Sequence, residues 1–184
     1  MTTAFVLVPG KSYFLRAKRT ILDLRTKGNW KGDIVLITID FDVNPTFKEF
    51  YNLHTMRFPR IELTNLLNQI GKDGFPDTID HREIHKVQQW EKFHVFDPYF
   101  LQWSRIVFLD AGLRVLDDVS HLLSLDYKNK ILAPKDGKLY DNSPFQCQLS
   151  YSRPEVIEDV KKMFGESILQ ENYMLNCMWI YDTS

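Results

Sequence analysis

The chain has 184 residues, 44% of them hydrophobic and 26% charged, and a formal net charge of −1. This length suits one domain with a substantial buried core, and the composition is typical of a globular protein rather than a disordered one. The near-neutral charge gives no case for a nucleic-acid partner, no apolar run is long enough to span a membrane, and the N-terminus lacks the pattern of a secretory signal. Cys147 and Cys177 have no metal-ligand spacing and indicate a reducing compartment. We therefore expect a cytoplasmic enzyme or binding domain.

Apolar strands and amphipathic helices alternate along the N-terminal part of the chain. The predicted elements are a strand over residues 4–8, a helix over 13–27 with Ser12 as its N-cap, a strand over 33–39, a helix over 45–55, a strand over 60–63 and a helix over 64–70. This alternation is typical of an α/β sheet with crossover connections.

A polar loop over residues 71–82 contains two glycines and a proline and is longer than a simple connection needs. Loops of this kind often carry function. Asp77, Asp80 and His81 in this loop are candidates to contact a sugar hydroxyl or to serve as a base, although acidic residues are also common in solvated loops. His81 and His85 do not predict a metal site, because the order HREIH is not HExxH and no third ligand is indicated.

The C-terminal half continues the same alternation. The predicted elements are a helix over residues 83–96, strands over 106–109 and 113–116, a helix over 119–125, strands over 130–134 and 145–149, a helix over 154–164 and a strand over 174–181. Asp117 and Asp118 precede a helix and are expected to cap it.

The central stretch of the chain, WSRIVFLDAGLRVL over residues 103–116, combines a structural pattern with a chemical anomaly. Its apolar run is typical of a strand buried on both faces, and Asp110 ends that strand abruptly. Ligands of open α/β sheets collect at the carboxyl ends of strands. The alternative is a tight turn in which Asp110 bonds its own backbone and Gly112 supplies a positive φ.

The first predicted helix begins with basic residues after the Pro9-Gly10 loop. Lys11, Arg16, Lys18 and Arg19 lie at this end of the helix. A strand, a glycine-containing loop and a helix N-terminus form a general anion site, whereas the alternative is a solvated basic helix face. The segment matches neither GxxxxGK[ST] nor GxGxxG, so neither nucleotide fingerprint applies.

The segment RIVFLDAGLRVLDDVSHLL resembles the core of GT-A glycosyltransferases of the glycogenin-like kind. In that family a strand ends in Asp-x-Asp, and here Gly112 replaces the second Asp. The segments WEKFHVFDPYF, KILAP and MLNCMWIY resemble other parts of the family in the same order. A more particular likeness is to a chlorella-virus type of branch from large DNA viruses, which has F-x-x-F-D-x-Y-F-x-x-W before Asp-x-Gly. Its pattern is matched by Phe93, Phe96, Asp97, Tyr99, Phe100 and Trp103.

The resemblance implies one GT-A domain over residues 1–184, with a central mixed, mostly parallel sheet flanked by helices. It implies transfer of a hexosyl group from a UDP-sugar to a hydroxyl of a glycan or glycoprotein, with Mn²⁺ or Mg²⁺ as cofactor. Asp110 would bind the metal, and a further histidine ligand of the family is expected beyond Ser184. Asp77 and Asp80 are the candidates for deprotonating the acceptor. The donor-binding residues that the resemblance implies are Val8, Pro9, Lys11, Tyr13, Arg16, Lys92 and Asn176.

Two other functions stay open at the level of sequence. A nucleotidyltransferase would share the sheet and a metal-held diphosphate, but its glycine-rich basic first loop is only faintly matched by PGKSY. A domain that binds a nucleotide or glycan without turnover would explain the loss of the second Asp at Gly112. Hydrolysis of the donor distinguishes this binding domain from the two enzymes, and the product distinguishes the enzymes from each other.

Overall fold

A computed structural model of the protein describes residues 2–62, 88–126, 128–135, 144–149 and 154–183. The chain forms two compact units, one from Met1–Leu132 with Cys177–Ser184 and the other from Ala133–Asn176. No helix within the described ranges is long and apolar enough to cross a membrane. The predicted helix over residues 64–70, the loop over 71–82 and the start of the helix at residue 83 lie outside the described residues.

The first unit is built on a six-stranded sheet with the order β3-β2-β1-β4-β6-β5. Its strands are β1 (Thr3–Leu7), β2 (Asp33–Thr38), β3 (Leu53–Arg57), β4 (Arg105–Leu109), β5 (Ile131–Leu132) and β6 (Met178–Asp182). The strands β3, β2, β1 and β4 are parallel to one another, whereas β6 is antiparallel to both β4 and β5. The predicted mixed, mostly parallel sheet is therefore confirmed.

Helices flank this sheet and also form much of the second unit. Within the described residues, the α-helices are α1 (Phe14–Thr26), α2 (Pro45–Phe50) and α3 (Ser120–Leu123) in the first unit and α4 (Pro154–Phe164) in the second. The described 3₁₀ helices are Lys11–Tyr13, Gln88–Phe96, Pro98–Gln102, Phe145–Gln148 and Glu166–Gln170. The helix predicted over residues 154–164 is confirmed at both ends.

Alternate side chains of β1 bury into opposite faces of the sheet, as the pleat of a strand requires. Phe5 and Leu7 pack with Ile21 of α1 on one face. Val6 packs on the other face with Phe100 and other residues of the 3₁₀ helices that precede β4. Because both faces are covered, every residue after the first is buried in β1, β2 and β4, and nearly all of these buried residues are apolar.

The prediction of a strand over residues 113–116 is wrong, because this segment makes hydrogen bonds with side chains of α1 instead of pairing with another strand. The buried hydroxyl of Thr20 lies 2.7 Å from the carbonyl oxygen of Leu113 and 3.1 Å from that of Ala111. The guanidinium of Arg114 donates two hydrogen bonds to the buried carboxylate of Asp23. These hydrogen bonds hold residues 111–114, which follow β4, against α1, which follows β1.

As the pH falls, the free energy of unfolding should decrease more steeply for the wild type than for the Asp23→Asn variant. The hydrogen bonds from Arg114 hold the pKa of Asp23 below its usual range, although burial opposes this shift. A carboxylate with a lower pKa in the folded state stabilises the fold above about pH 4, and this contribution is lost as the pH falls through the folded pKa. Urea unfolding from about pH 7 to pH 3 measures the difference in slope. Equal slopes for the two proteins would contradict it.

Three further sequence predictions in the first unit are wrong. The helix expected to reach residue 55 ends at Phe50, because Asn52 has a left-handed φ of 48° and the chain then enters β3. The strand expected over residues 60–63 is absent from its described part, residues 60–62. Ser12 does not cap a helix, because it lies inside the 3₁₀ turn that leads into α1. Of the two acids expected to cap the next helix, Asp118 accepts the backbone N–H of Ser120 at 2.7 Å, whereas Asp117 accepts the N–H of Asp118 and the N-cap position belongs to Val119.

Two further segments differ from their predicted type or length. Phe145–Gln148 is a 3₁₀ helix rather than a strand, since the pairing of Pro144 with Asn172 is an isolated bridge that the chain does not continue. The last strand begins at Met178, four residues later than predicted at residue 174, because a turn at residues 176–177 precedes it.

Candidate functional site

A cavity of about 720 Å³ opens in the first unit at the carboxyl ends of β1, β2 and β4. These strands are adjacent and parallel in the sheet, and this is the edge at which open α/β sheets bind ligands. The lining residues are Val8, Pro9, Gly10, Lys11, Ser12, Tyr13, Ile39, Asp40, Arg60, Gln89, Glu91, Lys92, Asp110 and Ala111.

An ion pair between Lys92 and Asp110 lies in the wall of this cavity. The ammonium Nζ of Lys92 is 2.9 Å from Oδ2 of Asp110. The lysine side chain is only 10% exposed, whereas the aspartate side chain is 40% exposed. The ammonium also lies 5.9 Å from the centroid of the Phe108 ring. Because the Lys92 side chain is largely shielded from water, its ammonium attracts an anion in the cavity more strongly than an exposed lysine would.

Asp110 begins a tight turn, and its side chain is not used to close that turn. The backbone N–H of Leu113 donates to the Asp110 carbonyl at 3.0 Å, while the Asp110 N–H donates to the Cys177 carbonyl at 2.7 Å. The carboxylate is directed to Lys92 instead. The φ of Gly112 lies outside the left-handed region, and no heavy atom from the described parts of the chain lies within 4 Å of a Cβ placed on Gly112. The tight turn of the alternative is therefore present, but the Asp110 side chain does not close it and Gly112 does not supply a positive φ.

The loop after β1 contributes four of the predicted donor-binding residues. Val8, Pro9, Lys11 and Tyr13 all line the cavity, and the helical stretch that begins at Lys11 has its N-terminus there. A helix N-terminus favours a bound anion. Arg16 does not line the cavity, but its guanidinium lies 5.0 Å from the centroid of the Tyr13 ring.

The remaining predicted residues are Asn176, Asp77 and Asp80. Asn176 is the last residue of the second unit. Asp77 and Asp80 lie outside the described residues.

Three charged residues of the cavity were not predicted from sequence. Asp40 follows β2 and lies 3.6 Å from Arg60, so its position after a parallel strand was the signal that could have found it. The buried carboxylate of Glu91 accepts the backbone N–H of Ile61 at 3.2 Å and lies 3.1 Å from His94. No local pattern marks Arg60 or Glu91 as cavity residues, because Glu91 accepts from the backbone of Ile61, which is distant in sequence, and Arg60 pairs with the distant Asp40.

Comparisons with known proteins find the fold but not a sequence relative. No family model matches the chain, and no curated protein matches it in sequence. The galactosyltransferase LgtC, solved with donor and acceptor sugar analogs, has a TM-score of 0.57 over 98% of this chain and 58% of its own, at 11% identity. The fold is that of a GT-A glycosyltransferase.

Two further solved structures with this GT-A fold match over the whole chain. The bifunctional glycosyltransferase WbbM has a TM-score of 0.57 at 12% identity, over 100% of this chain and 32% of its own. Core-mannan synthase A from Aspergillus fumigatus, in a Mn/GDP form, has a TM-score of 0.53 at 12% identity, over 100% of this chain and 60% of its own. This chain therefore spans less than two thirds of the length of these GT-A proteins. The likeness to a viral branch stays a prediction.

Proposed function

We propose that the protein transfers a hexosyl group from a UDP-sugar to a hydroxyl of a glycan or glycoprotein, with a divalent cation as cofactor. The observation that carries this proposal is the Lys92–Asp110 ion pair at the carboxyl end of β4, in a cavity that the loop after β1 also lines. The solved structures that share the fold support glycosyl transfer, since LgtC is described with donor and acceptor sugar analogs.

Lys92 is proposed to stabilise the leaving diphosphate. When the bond between the sugar and the diphosphate breaks, negative charge grows on the phosphate oxygens. A buried ammonium already positioned beside them requires little reorganisation at that moment, which is how electrostatic catalysis works. In the described structure this ammonium contacts Asp110, so donor binding is expected to share it between the carboxylate and the phosphates.

Asp110 is the residue that would hold Mn²⁺ or Mg²⁺. Among the residues that the structure describes, no three His, Cys, Asp or Glu side chains form a group able to hold a metal. Hard cations in nucleotide sites often combine one or two carboxylates with substrate phosphates and water, and Asp110 at the cavity fits that arrangement. The bound cation would supply further stabilisation of negative charge on the leaving group. A reaction that inverts the anomeric centre also needs a base for the acceptor, and Asp77 and Asp80 are proposed for it.

Calorimetric titration of UDP with and without Mn²⁺ tests this proposal, with GDP and CMP as controls. UDP should bind more tightly than either control, and Mn²⁺ should strengthen its binding. Asp110→Ala should abolish the effect of Mn²⁺. Absence of nucleotide binding would overturn the proposal, and tighter binding of GDP would contradict the UDP-sugar donor. Release of UDP from a UDP-sugar then distinguishes an enzyme from a domain that only binds.

Gly112→Asp is expected to tighten the Mn²⁺-dependent binding of UDP by about tenfold, because affinity for a hard cation rises with the number of carboxylate ligands. The open space around Gly112 and its ordinary φ allow the new side chain without strain. The same titration measures the change. Gly112→Asn, which adds the same bulk without the charge, is the matched control. Equal effects of the two substitutions would contradict a cation held at Asp110.

A further inference from the structure

Four aromatic side chains form a partly exposed surface on the first unit, which we call the aromatic ridge: Trp90, Phe93, Phe96 and Trp179. Three of them are well exposed, with relative exposures of 46% for Trp90, 49% for Phe93 and 41% for Phe96. Neighbouring ring centroids are 5.5 Å apart for Trp90 and Phe93 and 6.2 Å apart for Phe93 and Phe96. The Trp179 ring stacks on Phe96 at 5.7 Å with an interplanar angle of 19°.

The ridge follows from the geometry of the 3₁₀ helix Gln88–Phe96. With three residues per turn, side chains three positions apart lie above one another. Trp90, Phe93 and Phe96 therefore form one row along this helix. A second row contains Gln89 and Lys92, which both line the cavity.

The helix that carries these rows is held firmly against the sheet. The buried Tyr181 hydroxyl of β6 donates a hydrogen bond to the carbonyl oxygen of Val95, and burial raises the pKa of Tyr181. Trp179 of the same strand packs on Phe108 of β4, with the ring centroids 4.9 Å apart. The ridge is therefore a fixed surface that begins beside the cavity containing Lys92 and Asp110.

We propose that the aromatic ridge binds neutral sugar rings of a glycan acceptor. This inference rests on the proposed function, because an acceptor must reach the sugar donor in the cavity. The C–H face of a pyranose is apolar and stacks on aromatic rings, and the polar edges of the sugar stay in water. Contiguous exposed aromatic surface commonly marks a binding site. The four ridge side chains carry no charge, which suits an uncharged ligand better than the diphosphate of the donor.

The row of rings also suits a chain of sugars rather than one. Its centroids are spaced by 5.5 and 6.2 Å, comparable to the length of one pyranose unit, and neighbouring ring planes are tilted by 43° and 35°, so consecutive sugars can contact neighbouring rings. Because the same helix presents Gln89 and Lys92 to the cavity, a glycan lying along the ridge has one end close to the donor.

Tryptophan fluorescence during titration with maltotriose, cellotriose, xylotriose and mannotriose tests this inference. Sugar stacking should shift the emission of Trp90 and Trp179 to shorter wavelength, and Trp90→Phe should remove part of this shift. Trp90→Ala and Phe93→Ala should each weaken trisaccharide binding by about tenfold. Phe50→Ala is the matched control, because Phe50 is 78% exposed on α2 and is not part of the ridge. UDP affinity should not change in the two ridge variants.

Stacking tolerates differences in sugar configuration, so at least one trisaccharide should bind at millimolar concentration. Absence of a response to all four overturns the inference, and so does an equal response in wild type and both ridge variants. A self-associated wild type that becomes monomeric with Trp90→Ala, while sugars have no effect, assigns the ridge to a second copy of the chain and also overturns it. Sugar binding without any UDP binding refutes the proposed donor site alone, whereas UDP binding without sugar binding refutes the ridge alone.

Discussion

Lys92→Met should lower the rate constant for release of UDP from a UDP-sugar by about 100-fold to 1000-fold. Methionine keeps much of the buried side-chain volume and removes only the ammonium, so the change isolates the charge beside Asp110. The effect should appear mainly in kcat, because negative charge on the diphosphate is largest in the transition state. Steady-state assays with UDP-glucose and UDP-galactose measure it.

Lys31→Met is the matched control for this variant, since Lys31 is exposed and does not line the cavity. Its kcat should equal that of the wild type. Lys92→Arg should recover part of the activity, because it restores the charge with a different shape. A Lys92→Met variant with nearly wild-type kcat would show that the leaving diphosphate is stabilised by another group.

The strands that could be predicted from sequence are those buried on both faces. Residues 4–8 and 106–109 are uninterrupted apolar runs, and residues 33–39 are apolar except for Asp33 and Thr38. The structure places β1, β2 and β4 there, and no boundary differs from its prediction by more than one residue. Asp110 could be singled out for the same reason, since a carboxylate directly after a buried strand has few structural uses. These predictions depend on local burial, which the sequence shows directly.

The strand β3 could not be predicted because its side chains do not form the apolar pattern that is typical of a buried strand. The segment LHTMR has one buried residue, Leu53, and lies at the edge of the sheet, where β2 is its one neighbour among the described strands. Backbone hydrogen bonds to β2, rather than an apolar pattern, make this segment a strand. The end of α2 depends on Asn52, and asparagine tolerates a left-handed conformation without requiring it.

The charged partners in the cavity are missed for a different reason. Glu91 accepts a hydrogen bond from the backbone of Ile61, thirty residues earlier in the chain. Its contact with His94 joins residues three positions apart, a spacing that also brings side chains together on an α-helix. Apolar residues at three- and four-residue spacing favoured an α-helix here, whereas Gln88–Phe96 is a 3₁₀ helix. Long-range pairs of this kind depend on the folded sheet, and one sequence gives no local sign of them.

Arg25→Ala should lower the free energy of unfolding by about 3 kcal/mol. The Arg25 guanidinium donates to four backbone carbonyl groups, at 2.9 Å to Tyr51, 3.0 Å to Trp30, 2.7 Å to Gly32 and 3.2 Å to Asn52. It thereby joins the end of α1 to the segments that lead into β2 and β3. Its removal leaves partly buried carbonyl oxygens without their donor, and this costs more than the loss of a surface charge.

Urea unfolding and thermal melting measure this change, and the melting temperature should fall by about 10 °C. Arg19→Ala is the matched control, because Arg19 is exposed on the same helix and its removal should change stability by less than about 0.5 kcal/mol. Arg25→Lys should recover little, since one ammonium cannot reach four carbonyl groups in the directions of a guanidinium. Equal stability of the Arg25→Ala and Arg19→Ala variants would contradict the structural role of Arg25.

The same variant separates stability from ligand binding. Arg25 lies at the end of α1 opposite to the cavity, which is lined by residues before the N-terminus of that helix. At low temperature, where Arg25→Ala stays folded, its affinity for UDP should therefore match that of the wild type. A loss of UDP affinity in the fully folded variant would show that the position of α1 against β2 and β3 controls the cavity. An unchanged affinity would show that Arg25 affects only the stability of the fold. The residues proposed to bind UDP would then be Lys92, Asp110 and the loop after β1.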